Sequence, residues 1–101
     1  MTEKESKELT IEVWTYLAEH PEIRRKYELP KILYEKIKDL ELKCPLCELF
    51  FEYACTGCPL ATTGDCCMDG GVYHCWYNAE TPEDRSTAAW GIVNIVKEWK
   101  I

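Results

Sequence analysis

At 101 residues the chain has the length of one domain and can bury only a modest core. It carries 18 acids against 12 lysines and arginines, a formal net charge of −6, and has no apolar run near the ~18 residues of a membrane span. The opening Met-Thr-Glu-Lys-Glu-Ser-Lys-Glu is charged with no apolar stretch behind it. No secretory leader is therefore expected, and the expected compartment is the cytoplasm.

The first 43 residues read as helical. Leu9, Val13, Trp14, Leu17 and Ala18 recur at helical spacing, with Ser6 or Thr10 as a cap. His20-Pro21 ends this stretch, because a residue before proline avoids the α region. His20 itself reads as a cap or surface residue. Pro21 suits the first turn of a short segment, Glu22 to Glu28. After Leu29-Pro30, Ile32, Leu33, Ile37 and Leu40 give a second apolar stripe through residues 31–41. Arg24, Arg25 and Lys26, with Lys31, make a short basic patch. Its plain reading is a solvated helix face; its sharper one is a weak contact for nucleic acid or an acidic partner.

Residues 44–77 form a cysteine-rich segment. All seven cysteines lie between positions 44 and 75. Cys44-Pro-Leu-Cys47 and Cys55-Thr-Gly-Cys58 are two C-x-x-C pairs, followed by Cys66, Cys67 and Cys75. Two such pairs this close point to a thiolate metal site. Two intervening residues let both sulfurs turn onto one ion while backbone N–H groups bond the thiolates. Glu48 to Ala54 is expected to form two helical turns with Leu49, Phe50, Tyr53 and Ala54 inward. Residues 56–71 are turn-rich, with Gly57, Pro59, Gly64, Gly70 and Gly71. Val72 to Tyr77 has strand-like residue types. Thr81-Pro82-Glu83-Asp84 then starts a helix, with Thr81 as N-cap and proline in the first turn. That helix is expected over 82–100, burying Ala88, Ala89, Ile92, Val93, Val96 and Trp99. Gly91 is a mild cost, and Lys97 and Lys100 suit the C-terminal dipole.

Thiols clustered in the cytoplasm are expected as ligands rather than disulfides. Against that, the chain lacks glutamine, has only Asn78 and Asn94, and is rich in Glu and Lys. This is a hyperthermophile-like composition, and intracellular disulfides occur in such organisms. The ligand set stays open. If residues 47–55 were helical, Cys47 and Cys55 would lie roughly 12 Å apart along the axis, whereas sulfurs sit about 2.3 Å from a shared zinc. So either Cys44, Cys47, Cys55 and Cys58 form one site around an irregular segment, or Cys44 and Cys47 join Cys58 and one of Cys66 or Cys67. Zn²⁺ is the expected ion, with a [4Fe–4S] cluster as the alternative, since both take four thiolates.

Other chemistries are disfavoured. A C-x-x-C at a helix start is also a dithiol redox motif, but the thioredoxin context needs a preceding strand, and here helices precede it. There is no Ser/His/Asp set, no H-E-x-x-H and no phosphate-cradling glycine loop. His74, beside Cys75, is at most a reserve ligand. Residues 44–84 hold seven acids and no lysine or arginine, so this segment is a poor partner for a phosphate backbone.

The run Cys-Pro-Leu-Cys, Cys-Thr-Gly-Cys-Pro-Leu, Thr-Gly-Asp-Cys-Cys and Gly-Gly-Val-Tyr resembles a group of small, mostly uncharacterised cysteine-rich proteins of phages, prophages and archaeal viruses. The resemblance covers residues 44 to about 99. It matches Cys44, Cys47, Cys55, Cys58 and one of Cys66 or Cys67; the doubled cysteine and Cys75 depart from the pattern. It implies a virus-encoded metal-binding protein, located in the host cytoplasm. The expectation is a mainly α single domain: a helical part over 1–43, a metal-stapled cysteine segment over 44–77 and a closing helix over 82–100. Such a protein would be non-enzymatic and act through contacts with a partner protein or as a homodimer, with no membrane role; the alternative is an iron–sulfur protein with a redox or sensing role, and a nucleic-acid-binding regulator is the less favoured third reading.

Overall fold

Helix α1 (Glu3–Glu19) begins one turn earlier than its apolar stripe, because Thr2 and Glu5 form a capping box. The Thr2 hydroxyl accepts from the Glu5 amide at 3.1 Å, and the Glu5 carboxylate accepts from the Thr2 amide at 2.9 Å. Ser6 and Thr10, expected as caps, instead lie in the buried face with Val13, Trp14, Leu17 and Ala18. Their hydroxyls have no hydrogen-bond partner among the described residues. His20 ends the helix: its amide and its Nδ1 both bond the Tyr16 carbonyl at 3.0 Å, and its ring stacks on Tyr16.

The computed structural model describes residues 1–40, 43–50, 57–62 and 72–100, the side chains of Ala61 and Thr62 excepted. Tyr53, Ala54, Cys55, Cys66 and Cys67 lie outside the described residues. After α1 comes one 3₁₀ turn (Lys26–Glu28), then α2 (Lys31–Glu35), α3 (Pro45–Phe50), α4 (Pro59–Thr62), α5 (Val72–Asn78) and α6 (Pro82–Lys97). The fold is mainly helical, and no strand occurs among the described residues. None of the described helices is long and apolar enough to cross a membrane.

The core is a sandwich of α1 on α6, with α5 laid against α6 and α3 against α1. Helix α6 supplies Ala88, Ala89, Ile92, Val93 and Val96, and α1 answers with Val13, Trp14, Leu17 and Ala18. Each large apolar side chain removed from water contributes about 1.5–3 kcal/mol. The start of α6 is fixed locally, with Thr81 Oγ1 accepting from the Asp84 amide at 3.1 Å and Pro82 opening the first turn. Its end comes at Lys97, earlier than expected. Trp99 therefore lies beyond the helix and is only partly buried, its ring meeting the edge of Phe50. Its carbonyl is held by the Lys7 ammonium at 2.6 Å.

Val72 to Tyr77 is helical despite its strand-like residues. The reason is tertiary. Trp76, 1% exposed, packs edge-on against Trp14, which a helix seated on α6 allows. Gly91 makes room for it: a Cβ there would meet Val72 Cγ1 at 3.1 Å. Residues 31–41 also depart from a single stripe. Leu33 and Ile37, four residues apart, are buried, but Ile32, a step of about 100° round α2 from Leu33, is 80% exposed.

Arg85 ties the layers together. It is buried, and its guanidinium donates to the Pro21 carbonyl at 2.6 Å and the Ala79 carbonyl at 3.1 Å. One side chain thus holds the end of the α1 segment against the α5–α6 connection.

Candidate metal centre

Two short helices begin in the same way. Cys44-Pro45-Leu46 opens α3, and Cys58-Pro59-Leu60 opens α4. The residue before each cysteine is left-handed, Lys43 at φ 52° and Gly57 at φ 89°. Such a turn is free for glycine but costs a residue with a Cβ roughly 1–2 kcal/mol. Proline then suits the first helical position. Both cysteines are turned inward, Cys44 at 6% and Cys58 at 5% exposure, and both leucines are buried behind them. The second copy carries Ala61 where the first has Cys47, so α4 brings one thiol where α3 brings two.

The Cys44 sulfur lies in a field that favours its anion. The Cys47 thiol donates to it, burial opposes its ionisation, the Lys26 ammonium attracts it, and the amides of Cys47 and Leu46 donate to it. The balance pulls the Cys44 thiol down from its ordinary value of 9.0 to about 6. Two thiols therefore meet at the start of α3, Cys44 favoured as the anion and Cys47 donating a hydrogen bond to it. Cys58 lies in the same buried cluster. Among the described residues, no three His, Cys, Asp or Glu side chains converge on one point. Cys55, Cys66 and Cys67 lie outside the described residues. The paired thiols of Cys44 and Cys47 are donors of the kind a soft, thiolate-binding ion takes.

Lys26 is the residue that sequence reasoning misplaced. It was expected in an exposed basic patch with Arg24 and Arg25. The chain there is a 3₁₀ turn rather than a long helix face, and Lys26 is buried at 7% exposure. Its ammonium donates to the Lys43 carbonyl at 3.1 Å and lies 4.8 Å from the Tyr73 ring centre and 5.4 Å from that of Trp14. Ile23, Lys26 and Leu29 are all buried, although of the three only Lys26 lies within the 3₁₀ turn. Arg25 stacks over Tyr77 at 3.9 Å and donates to its carbonyl at 3.2 Å. Of the trio, Arg24 alone is exposed.

Cys75 and His74 are exposed on α5 and line a cleft of about 770 Å³ between α5 and α6. His74 Nε2 accepts from the Asn78 amide at 3.1 Å, so the imidazole has a local partner.

A pH dependence follows from Cys44. Its folded pKa lies below the unfolded one, so folding releases its proton, and the stability this gives is complete above about pH 9. It is lost as the pH falls toward about 6. The reduced, metal-free protein should show a denaturation midpoint that rises between these limits, and Cys44→Ser should flatten that rise. An equal rise in both would assign the effect to another group.

No protein-family model matches the chain, and neither the curated proteins nor the solved structures contain a match.

Proposed function

We propose that the chain is a small, non-enzymatic zinc-binding module. Thiolates that include Cys44, Cys47 and Cys58 hold one ion, and the ion ties the cysteine segment to the α1–α6 core. The observation that carries this reading is Cys44: a cysteine inside the core, bonded by its C-x-x-C partner and two backbone amides and held toward the thiolate. A buried thiolate costs free energy unless a cation compensates it. Zinc supplies that compensation and can complete its shell from Cys55, Cys66 or Cys67.

A module of this kind belongs with the virus-encoded cysteine-rich proteins its sequence resembles, working in the host cytoplasm. Its action is through contacts with a partner protein or a second copy of itself, for which exposed apolar side chains such as Tyr27 and Ile32 are available. Nucleic acid is a poor partner, because residues 44–84 add acids and no bases and Lys26 is turned inward.

Metal content tests the reading. Protein purified under reducing conditions should contain one zinc per chain and be colourless. A brown protein with broad visible absorption that dithionite bleaches would replace zinc by a [4Fe–4S] cluster on the same thiolates. A protein with neither metal and with its cysteines oxidised in pairs would overturn the reading.

A further inference from the structure

Lys26 is a cation in a place where cations are expensive. It is 7% exposed, on a turn whose neighbours Ile23 and Leu29 are core residues. Moving an ammonium out of water without a counter-charge is unfavourable. The partners seen are a backbone carbonyl and two ring faces: Lys43 O at 3.1 Å, Tyr73 at 4.8 Å and Trp14 at 5.4 Å. Neither ion pair among the described residues includes Lys26. Carbonyl and rings offset part of the cost, the rings by cation–π attraction. They supply no negative charge.

The geometry gives the ammonium a direction. The carbonyl it holds belongs to Lys43, the left-handed residue that turns Cys44 into the core. Tyr73 and Trp14 cover its other side and meet each other edge-on at 5.4 Å. The charge is thus fixed beside the residue that precedes Cys44 and is largely screened from water, and its attraction favours the Cys44 anion.

We propose that Lys26 is the built-in counter-charge of the thiolate centre, a positioning residue that binds no metal itself but sets the charge the centre can carry. The proposal rests on the zinc reading above. Four thiolates around Zn²⁺ carry a net charge of −2, which a low-dielectric core resists. A fixed ammonium one shell out reduces it to −1. The same residue selects against a disulfide, because joining Cys44 to another cysteine would remove the anion and strand the cation. Groups just outside a metal's ligands typically change affinity by about 10–100-fold.

The experiment compares Lys26→Met, which keeps the apolar stem and loses the charge, Lys26→Gln, which also keeps a donor for the Lys43 carbonyl, and Lys26→Arg, which keeps the charge. Zn²⁺ affinity is measured by competition with a chromophoric chelator, and helicity of the zinc-loaded forms by circular dichroism. Both neutral variants should bind zinc more weakly, on the order of tenfold or more, and Lys26→Arg should restore most of the loss. If either neutral variant folds and binds zinc as tightly as the native chain, the proposal fails while the zinc module stands. Arginine binding as weakly as methionine would also overturn it, by making the effect one of shape. Should the native chain itself take up no zinc, the module reading falls, and the counter-charge with it.

Discussion

Replacing Cys44 by serine is expected to strip the protein of zinc and leave it largely unfolded at physiological temperature. The thiolate is lost, and a buried hydroxyl replaces it where the Cys47 thiol, two amides and an ammonium converge on an anion. Structural zinc in small domains contributes apparent free energies of about 10–16 kcal/mol, against a total stability of about 5–15 kcal/mol for a native domain. Metal analysis and thermal melting check the result. Cys75→Ser is the control: that thiol is exposed on α5, and its loss should leave both zinc content and melting temperature close to native. Identical melting of native protein before and after complete demetallation in reductant would remove zinc from the account of the fold.

The second large effect belongs to Trp14. Its ring is 1% exposed and meets Trp76 at 5.0 Å and Tyr73 at 5.4 Å, both edge-on, with the Lys26 ammonium 5.4 Å from its centre. It therefore joins α1, α5 and the 3₁₀ turn at one point. Truncating a buried tryptophan to alanine costs about 3–5 kcal/mol. Trp14→Ala should lower the chemical-denaturation stability by that amount, and it should also weaken zinc binding by unseating Lys26. Trp99→Ala should cost less, because Trp99 is only partly buried and shares one ring edge with Phe50. Equal losses in the two variants would mean that the C-terminal residues, rather than the α1–α5 aromatic cluster, anchor the core.

The part of the fold written in the sequence is the part set by neighbours along the chain. The start of α6 needs Thr81, Pro82 and Asp84, all within one turn, and its buried face is an unbroken run of three- and four-residue steps. The mainly helical class follows from that helix and α1. Even the capping box of Thr2 and Glu5 lies in the spacing, although the apolar stripe drew attention to Ser6 and Thr10 instead. The paired Cys-Pro-Leu starts of α3 and α4 are legible too, once the left-handed residues before them are known.

Residues far apart in the chain decided the rest. Val72 to Tyr77 carries strand formers, but burying Trp76 against Trp14 and fitting Val72 over Gly91 favour a helix, and packing outweighs a propensity difference of only about 1 kcal/mol. Lys26 reads as a surface base in its own segment. It becomes a buried cation because the Lys43 carbonyl, Tyr73 of α5 and Trp14 of α1 meet around it. Periodicity and caps are local and therefore visible in sequence. The environment of a charge is the sum of everything within several ångströms of it, and only the folded chain assembles that sum.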